Sequence, residues 1–69
     1  NSIAPGLVRT DFARGLWENP ENLKASTSGA ALGRIGEPRE IAGAAVYLAS
    51  DASSFMTGQT IVIDGGVVV

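Results

Sequence analysis

The apolar residues of this chain fall into two short runs near its ends and one long stretch between them. The first run stops at Pro5-Gly6, a pair typical of a turn, so residues 1–4 are predicted to be the end of a strand. A helix is expected to begin at Thr10 or Asp11, because both residue types cap helix N-termini. This order of strand, loop and helix is typical of the carboxyl edge of an open α/β sheet, where such folds bind ligands.

The loop leads into a short stretch of helical spacing. Phe12 and Leu16 are four residues apart, which places them on one face of a helix predicted over residues 10–17, with Trp17 beside them. A helix this short is marginal in water by itself, so its apolar face is expected to pack on something else.

A second short helix is predicted over residues 20–27. Asn19 can cap it, and Pro20 suits the first helical position, where the missing N–H would have no partner in any case. The segment is more polar than the first helix and weakens toward Gly29, and residues 32–36 are predicted to form a loop.

The long central stretch predicts a helix over residues 38–50. Pro38 occupies its first position, and Glu37 and Glu40 suit the positive end of the helix dipole. No residue from 41 to 49 is charged, so the helix is expected to be buried on more than one side. Its two apolar stripes are Ile41, Ala45 and Leu48 on one side and Ala42, Val46 and Ala49 on the other.

The second apolar run predicts a strand over residues 60–64, before a turn at Gly65-Gly66. The run is unbroken and rich in β-branched residues, as in a strand covered on both faces of a parallel sheet. A helix that joins two strands makes a βαβ crossover, which is expected to be parallel and right-handed. The fold class is therefore α/β.

Composition indicates that residues 1–69 alone do not bury all of the apolar surface of this chain. A chain of 69 residues holds at most one domain and buries only about 60% of its unfolded surface. Charged residues make up 17% of the chain, below the roughly 25% usual for globular domains. A partner, or the rest of a longer chain, is expected to cover part of its surface.

The residue types present exclude several classes of site. The chain has no Cys and no His, so it cannot form a Ser-His-Asp or Cys-His site, and a structural zinc site is not expected. Five Lys and Arg residues with a net charge of −2 make no basic patch, which argues against a nucleic-acid partner. The uncharged helical stretch is far shorter than the ~20 residues of a membrane span. The lack of Cys suits a cytoplasmic location.

No motif for phosphate binding or acid–base catalysis stands out. The chain has no G-x-G-x-x-G and no P-loop, and Gly33 and Gly36 fit a turn before a helix. The glutamates lie at predicted helix ends, where capping and solvation explain them better than a catalytic pair. Tyr47 lies inside the apolar helix, where a core or interface role is the default.

Three stretches in the same order resemble the C-terminal portion of a short-chain dehydrogenase/reductase: "NSIAPGLVRTDF", "LGRIGEPREIAGAAVYLASDAS" and "FMTGQTIVIDGG". The chain is most similar to the 3-oxoacyl-carrier-protein reductase-like members, and "DFARGLWENPE" also resembles the dehydrogenase/reductase member 4 enzymes. The resemblance implies the C-terminal βαβ part of a Rossmann-type doubly wound parallel sheet that is incomplete in residues 1–69. It divides the chain into a strand end and cofactor loop (1–10), a substrate lid (11–29), the last long helix (38–50) and the last strand (60–64).

The resemblance also implies a cofactor, NAD or NADP, and assigns residues to it. Pro5, Gly6, Leu7 and Val8 match the family's Pro-Gly motif, in which backbone groups at the position of Val8 hold the nicotinamide carboxamide. The hydroxyl at the position of Thr10 hydrogen-bonds the amide or pyrophosphate, and the helix start after it offers free N–H groups to an anion. Gly6 is expected to leave room for the backbone to approach the ring. A plain helix cap is the alternative role of Thr10.

By the same resemblance, Phe12, Leu16 and Trp17 form the apolar face of the lid over a small carbonyl or alcohol substrate. Fixed core is the alternative role for these three side chains. The family's catalytic Ser and Tyr-x-x-x-Lys have no counterpart here, since Asp51 stands four residues after Tyr47. No catalytic residue and no metal ligand is therefore assigned in this chain.

Two functions remain open at this point. The chain is either part of an NAD(P)-dependent oxidoreductase, or a non-catalytic segment whose function is to associate with other chains. In the family the last helix and last strand pack against their copies, which implies a homodimer or homotetramer. Arg34 and Asp64 are expected to be loop and strand-end anchors.

Overall fold

A computed structural model describes residues 1–67 of the chain; Val68 and Val69, the end of the predicted 1–69 domain, lie outside the described residues. Two strands, β1 (Ser2–Pro5) and β2 (Thr60–Ile63), pair in parallel, with Ser2 opposite Thr60 and Pro5 opposite Ile63. Between them lie helices α1 (Arg14–Trp17), α2 (Pro20–Thr27) and α3 (Pro38–Ala49) and a 3₁₀ turn at Asp51–Ser53. The predicted α/β class and parallel strand pairing are confirmed.

Local caps set the start of α2 and α3 where the sequence predicts them. The Asn19 side chain accepts a hydrogen bond from the Glu21 N–H at 2.8 Å, and Pro20 is the first residue of α2. At the start of α3, the Glu37 N–H donates to the Glu40 carboxylate at 3.0 Å. The predicted strand 1–4 is shifted by one residue from β1, and the predicted strand 60–64 extends one residue beyond β2.

The helix predicted over residues 10–17 is wrong in its first half. Residues 10–13 form a turn in which the Ala13 N–H donates to the Thr10 carbonyl at 3.1 Å and the Arg14 N–H to the Asp11 carbonyl at 3.2 Å. Only Arg14–Trp17 is helical, and its N-cap is Ala13, which provides no capping side chain. The N–H groups of this turn are thus partly used within it, which weakens the expected anion site at a helix start.

The described residues bury little apolar surface. Ile35 is their only buried hydrophobic residue, at 5% exposure, and no residue of α3 is buried. The half-buried side of α3 consists of Ile41, Ala44 and Leu48, so the prediction of Ala45 in that stripe is wrong. The other stripe is exposed, Val46 by 68%, and Val62 on the second face of β2 by 47%. The expected burial of α3 and β2 on two sides is therefore not achieved by residues 1–67.

One side chain joins the start of β1 to the loop before β2. Asn1 donates from its amide nitrogen to the Met56 carbonyl at 3.0 Å and accepts from the Gln59 N–H at 2.9 Å. This pair of bonds sets the register in which the two strands enter the sheet. No helix within residues 1–67 has the length and apolar character needed to cross a membrane.

Candidate functional site

The loop at residues 6–10, which follows β1, is held by backbone hydrogen bonds from two segments distant in sequence. The Gly6 N–H donates to the Ile63 carbonyl at 2.9 Å, which extends the β1–β2 ladder by one step. Gly36 then bonds on both sides of Val8: its N–H donates to the Leu7 carbonyl at 3.0 Å, and its carbonyl accepts from the Arg9 N–H at 2.9 Å. These bonds form a parallel bridge between Val8 and Gly36.

The bridge leaves the peptide groups of Val8 itself available. In this parallel pattern the bonds to Gly36 come from the residues before and after Val8, so the N–H and carbonyl of Val8 face the opposite edge. Within residues 1–67 neither group has a hydrogen-bond partner. A donor and an acceptor on one residue, held in place from behind, can bind a ligand amide through two hydrogen bonds.

Gly6 is close to the end of β2, which explains the lack of a side chain at this position. A Cβ added at Gly6 would lie 2.7 Å from both Cα and Cβ of Asp64, inside van der Waals contact. The path of the loop past Asp64 is thus an internal reason for glycine at this position. The expectation that Gly6 also makes room for a ligand ring stays a prediction. Asp64 in turn accepts from the N–H groups of Gly66 at 2.9 Å and Val67 at 3.2 Å.

Thr10 ends the loop and combines capping with a tether. Its hydroxyl accepts from the Ala13 N–H at 3.3 Å, a long bond, and its carbonyl accepts from the Trp17 indole N–H at 2.9 Å. The capping role is therefore present, although it acts on the turn before α1. The hydroxyl proton of Thr10 has no acceptor among the described residues, so it can be donated to a ligand.

Arg9 extends this tether toward α3. Its guanidinium lies 5.0 Å from the centre of the Trp17 ring, and its Nε donates to the Glu37 carboxylate at 3.0 Å. Trp17 thus touches the 6–10 loop at two consecutive residues. The three expected lid residues are consequently not equivalent: Trp17 is half-buried against the loop, whereas Phe12 and Leu16 are exposed, Phe12 completely.

The segment that bears Gly36 is itself fixed to α3 by a bidentate ion pair. Nη1 and Nη2 of Arg34 donate to the two carboxylate oxygens of Glu40, each at 2.9 Å, and Nη1 also donates to the Ile35 carbonyl at 3.1 Å. The hydrogen bond from Arg34 is the main cause that lowers the pKa of Glu40 to about 2, and the Glu37 N–H contributes further. The same hydrogen bond raises the pKa of Arg34. The anchor role predicted for Arg34 is consistent with this geometry.

A cavity of about 90 Å³ lies beside the 6–10 loop at the carboxyl ends of both strands. Leu7 and Val8 line one side, and Ile63, Asp64 and Gly65 line another. Pro5, by contrast, is exposed at the end of β1. Within residues 1–67 no group of His, Cys, Asp or Glu is suited to hold a metal ion.

A family model described as enoyl-(acyl carrier protein) reductase matches residues 1–68. The chain is 52% identical to the 3-oxoacyl-(acyl-carrier-protein) reductase FabG of Chlamydia muridarum, over 96% of its own length and 26% of the relative. It is 44% identical to dehydrogenase/reductase SDR family member 4 of Bos taurus, over 96% of its own length and 24% of that protein.

The fold matches a solved structure, 4-hydroxyisoleucine dehydrogenase complexed with NADH, with a TM-score of 0.90 and 37% identity. That match covers 97% of this chain and 28% of the other. The chain spans about a quarter of the length of the curated relatives it matches. From the family match over residues 1–68 and these identities, the chain belongs to the short-chain dehydrogenase/reductase family, whose members are NAD(P)-binding Rossmann-fold oxidoreductases.

Proposed function

We propose that these residues form the C-terminal part of an NAD(P)-dependent oxidoreductase, which transfers a hydride between nicotinamide and a carbonyl or hydroxyl substrate. In this proposal residues 1–10 provide the nicotinamide-side loop, 11–29 the substrate lid, and 38–50 with 60–64 a subunit interface. Membership of the family and the likeness to a dehydrogenase complexed with NADH support it.

One observation carries the proposal: the available N–H and carbonyl of Val8, held from behind by Gly36. The carboxamide of nicotinamide has an NH₂ donor and a carbonyl acceptor, so the two peptide groups of Val8 complement it. Because Leu7 and Arg9 make the bonds to Gly36, binding at Val8 requires no bond of the loop to break. Because these donor and acceptor groups match the carboxamide, the residues present fit NAD or NADP.

Thr10 supports the same site from the end of the loop. Its hydroxyl proton can be donated to the cofactor amide or pyrophosphate, while its carbonyl stays bonded to Trp17. Pro5, Gly6 and Leu7 set the path that brings these groups together. The bound nicotinamide supplies or accepts the hydride, and the residues of this chain orient the ring.

The exposed side chains of Phe12 and Leu16 are proposed to cover the substrate. Both lie on the segment directly after the loop, and neither is buried by the described residues. Trp17 keeps its place in the proposed lid as the side chain that fixes the segment to the loop. A small carbonyl or alcohol substrate and a cytoplasmic location complete the proposal.

The test compares Thr10→Val with Thr10→Ser in the full-length protein. Valine preserves the shape but removes the hydroxyl, whereas serine retains it. Loss of one hydrogen bond of about 0.5–1.5 kcal/mol predicts a two- to tenfold higher KM for the cofactor in Thr10→Val, with Thr10→Ser close to the parent. Equal cofactor KM values for Thr10→Val and the parent, at equal Tm, would count against the assignment.

The catalytic acid is proposed to lie outside these residues. Tyr47 has Asp51 and no lysine four positions later, and it lies on α3 with 41% exposure. The 69 residues alone are thus expected to show no turnover of NADH or NADPH with a panel of ketones. Absorbance loss above that of a buffer blank would refute this expectation.

Self-association is a second candidate function, because exposed apolar side chains occur on α3 and β2. Val46, Tyr47 and Val62 are exposed by 68%, 41% and 47%. They lie on the helix and strand that the resemblance to the family implies are packed between subunits. We propose a homodimer or homotetramer through this surface. Sedimentation of the full-length protein with Val46→Glu is expected to show a smaller species than the parent, and an unchanged mass would refute the assigned surface.

A further inference from the structure

A groove of about 380 Å³ runs between α2 and the segment at residues 33–35, on the side of the 6–10 loop where the Arg9 side chain lies. Pro20, Leu23, Lys24 and Thr27 line it from one face of α2, since they are spaced three and four residues apart. The opposite wall is the segment 33–35, and Arg9 lines the groove as well.

Three cationic residues line the groove, Arg9, Lys24 and Arg34, and no acidic residue does. Two of them are ion-paired beside it, Arg9 with Glu37 at 3.0 Å and Arg34 with Glu40 at 2.9 Å. Three cations less two carboxylates leave a local charge of +1 in a chain whose net charge is −2, which favours an anion there.

Two of these cations have terminal nitrogens without a hydrogen-bond partner among residues 1–67. The Lys24 ammonium has no ion pair or hydrogen bond among residues 1–67. Arg9 uses Nε for Glu37, which leaves its two terminal nitrogens without a partner in the described part of the chain. Both terminal nitrogens of Arg34 are bonded to Glu40 or Ile35, and the Glu40 carboxylate balances its charge.

The floor of the groove is apolar. Leu23 is half-buried on α2, and the lining residue Ile35 is the most buried hydrophobic residue described. Cations beside an apolar floor fit a ligand with one anionic end and a hydrocarbon stem. The anionic end then lies against the cations, and the stem packs on the apolar floor. A bare inorganic ion would leave the floor unused.

We propose that this groove binds an organic carboxylate on a short hydrocarbon stem, with the Lys24 ammonium and the Arg9 guanidinium as its charge partners. Both charge partners lie in the segments proposed as cofactor loop and lid, but neither the Val8 peptide groups nor the Thr10 hydroxyl takes part, so loss of carboxylate binding and loss of cofactor binding are distinguishable. Binding is expected to weaken as salt rises, since the groove is open to solvent.

The experiment titrates the full-length protein, free of nucleotide, with hexanoate, hexanol, hexylammonium and inorganic phosphate, followed by NMR or calorimetry. Hexanoate is expected to bind about three- to tenfold more tightly than each of the others, because it alone satisfies both the charge and the floor. Phosphate or hexanol binding as tightly as hexanoate would overturn the proposal.

Lys24→Gln removes one charge partner, and Arg39→Gln removes the same charge from α3, outside the groove. Lys24→Gln is expected to weaken hexanoate binding about three- to tenfold, while Arg39→Gln leaves it unchanged. Both residues are exposed, so both variants should fold, and thermal melts verify this. Equal loss in the two variants, or none in Lys24→Gln, would refute the site.

Discussion

The 6–10 loop and the segment that follows it, residues 11–17, are neighbours in the chain but are held differently. The loop is bonded by backbone groups of Ile63 and Gly36, which belong to distant segments. The 11–17 segment has mostly its own short-range bonds, and Trp17 is its main link to the loop. A site with fixed peptide groups thus lies beside a segment whose main link to it is one side chain, Trp17.

This difference separates two kinds of contribution to binding. Peptide groups held by a ladder are already placed before a ligand arrives, so little ordering is needed at binding. Exposed apolar side chains such as Phe12 gain burial only when a ligand or another segment covers them. We therefore expect substitutions that displace the loop backbone to affect stability, and those at exposed lid positions to affect mainly activity.

The largest expected effect is on stability, from Gly6→Ala. The new methyl would lie 2.7 Å from the Asp64 backbone, so either the loop or the end of β2 must shift. We expect a loss of about 1–3 kcal/mol in the free energy of unfolding, as for overpacked sites. Chemical denaturation of the full-length protein measures it.

Gly15→Ala is the matched control for Gly6→Ala. A Cβ at Gly15 meets no atom within 4 Å, and the residue is helical in α1. Alanine there should leave the free energy of unfolding unchanged or raise it by up to about 1 kcal/mol. If both alanines destabilise equally, the loop is not fixed by its contact with Asp64.

The next effect distinguishes Trp17 from Phe12. Trp17→Phe removes the indole N–H that donates to the Thr10 carbonyl, with a cost of about 1 kcal/mol and a raised KM for the cofactor. Phe12→Ala, at a fully exposed position, should change stability by no more than about 0.5 kcal/mol and instead raise the substrate KM or lower kcat.

Thermal melts beside the kinetics decide between lid and fixed core. A loss of ~3–5 kcal/mol in Phe12→Ala, with kcat per folded molecule intact, would show that Phe12 is core in the full-length protein. Trp17→Phe with an unchanged cofactor KM and Tm would show that the tether has no role in placing the loop.

The smallest effect concerns pH and the ion pair behind the loop. The pKa of Glu40 is about 2 in the fold, against 4.5 ordinarily, so its carboxylate stabilises the fold fully above pH 4.5. That contribution fades as pH falls from 4.5 through 2, because the proton is then taken up more readily by the unfolded chain. The pKa is lowered chiefly by the Arg34 hydrogen bond.

Glu40→Gln should therefore have a lower free energy of unfolding than the parent at pH 7. This difference in free energy should decrease toward pH 3. Urea denaturation at both values checks this, and Glu18→Gln, which removes a carboxylate with no ion pair among the described residues, is the control. A difference in the free energy of unfolding that stays constant with pH would contradict the role assigned to the Arg34–Glu40 ion pair.

Much of the fold could be predicted because its signals are local. Asn19 and Pro20 at the start of α2, and Pro38 at the start of α3, act on the adjacent turn, so both helices begin where expected. The start of α1 was wrong because the Thr10 hydroxyl caps a preceding turn and the helix follows only at Arg14. The Asp11 carboxylate does not cap that turn but pairs with the Arg14 guanidinium at 2.7 Å.

The candidate site depended on contacts that sequence spacing does not reveal. Leu7 and Gly36 are far apart in the chain, and nothing near either one signals their bond. The contact of Gly6 with Asp64 and the placement of Trp17 against Arg9 are likewise tertiary. The residues assigned to the cofactor came from the resemblance, and their roles stay predictions.

The most direct test of the account is residue-resolved hydrogen exchange of the full-length protein with and without NAD(P)H. The N–H groups of Arg9 and Gly36 are bonded in the bridge, so they should exchange slowly in both states. The Val8 N–H has no partner among the described residues and should slow at least about tenfold when cofactor binds, as one hydrogen bond would produce. Cofactor binding that leaves Val8 exchange unchanged would contradict the account.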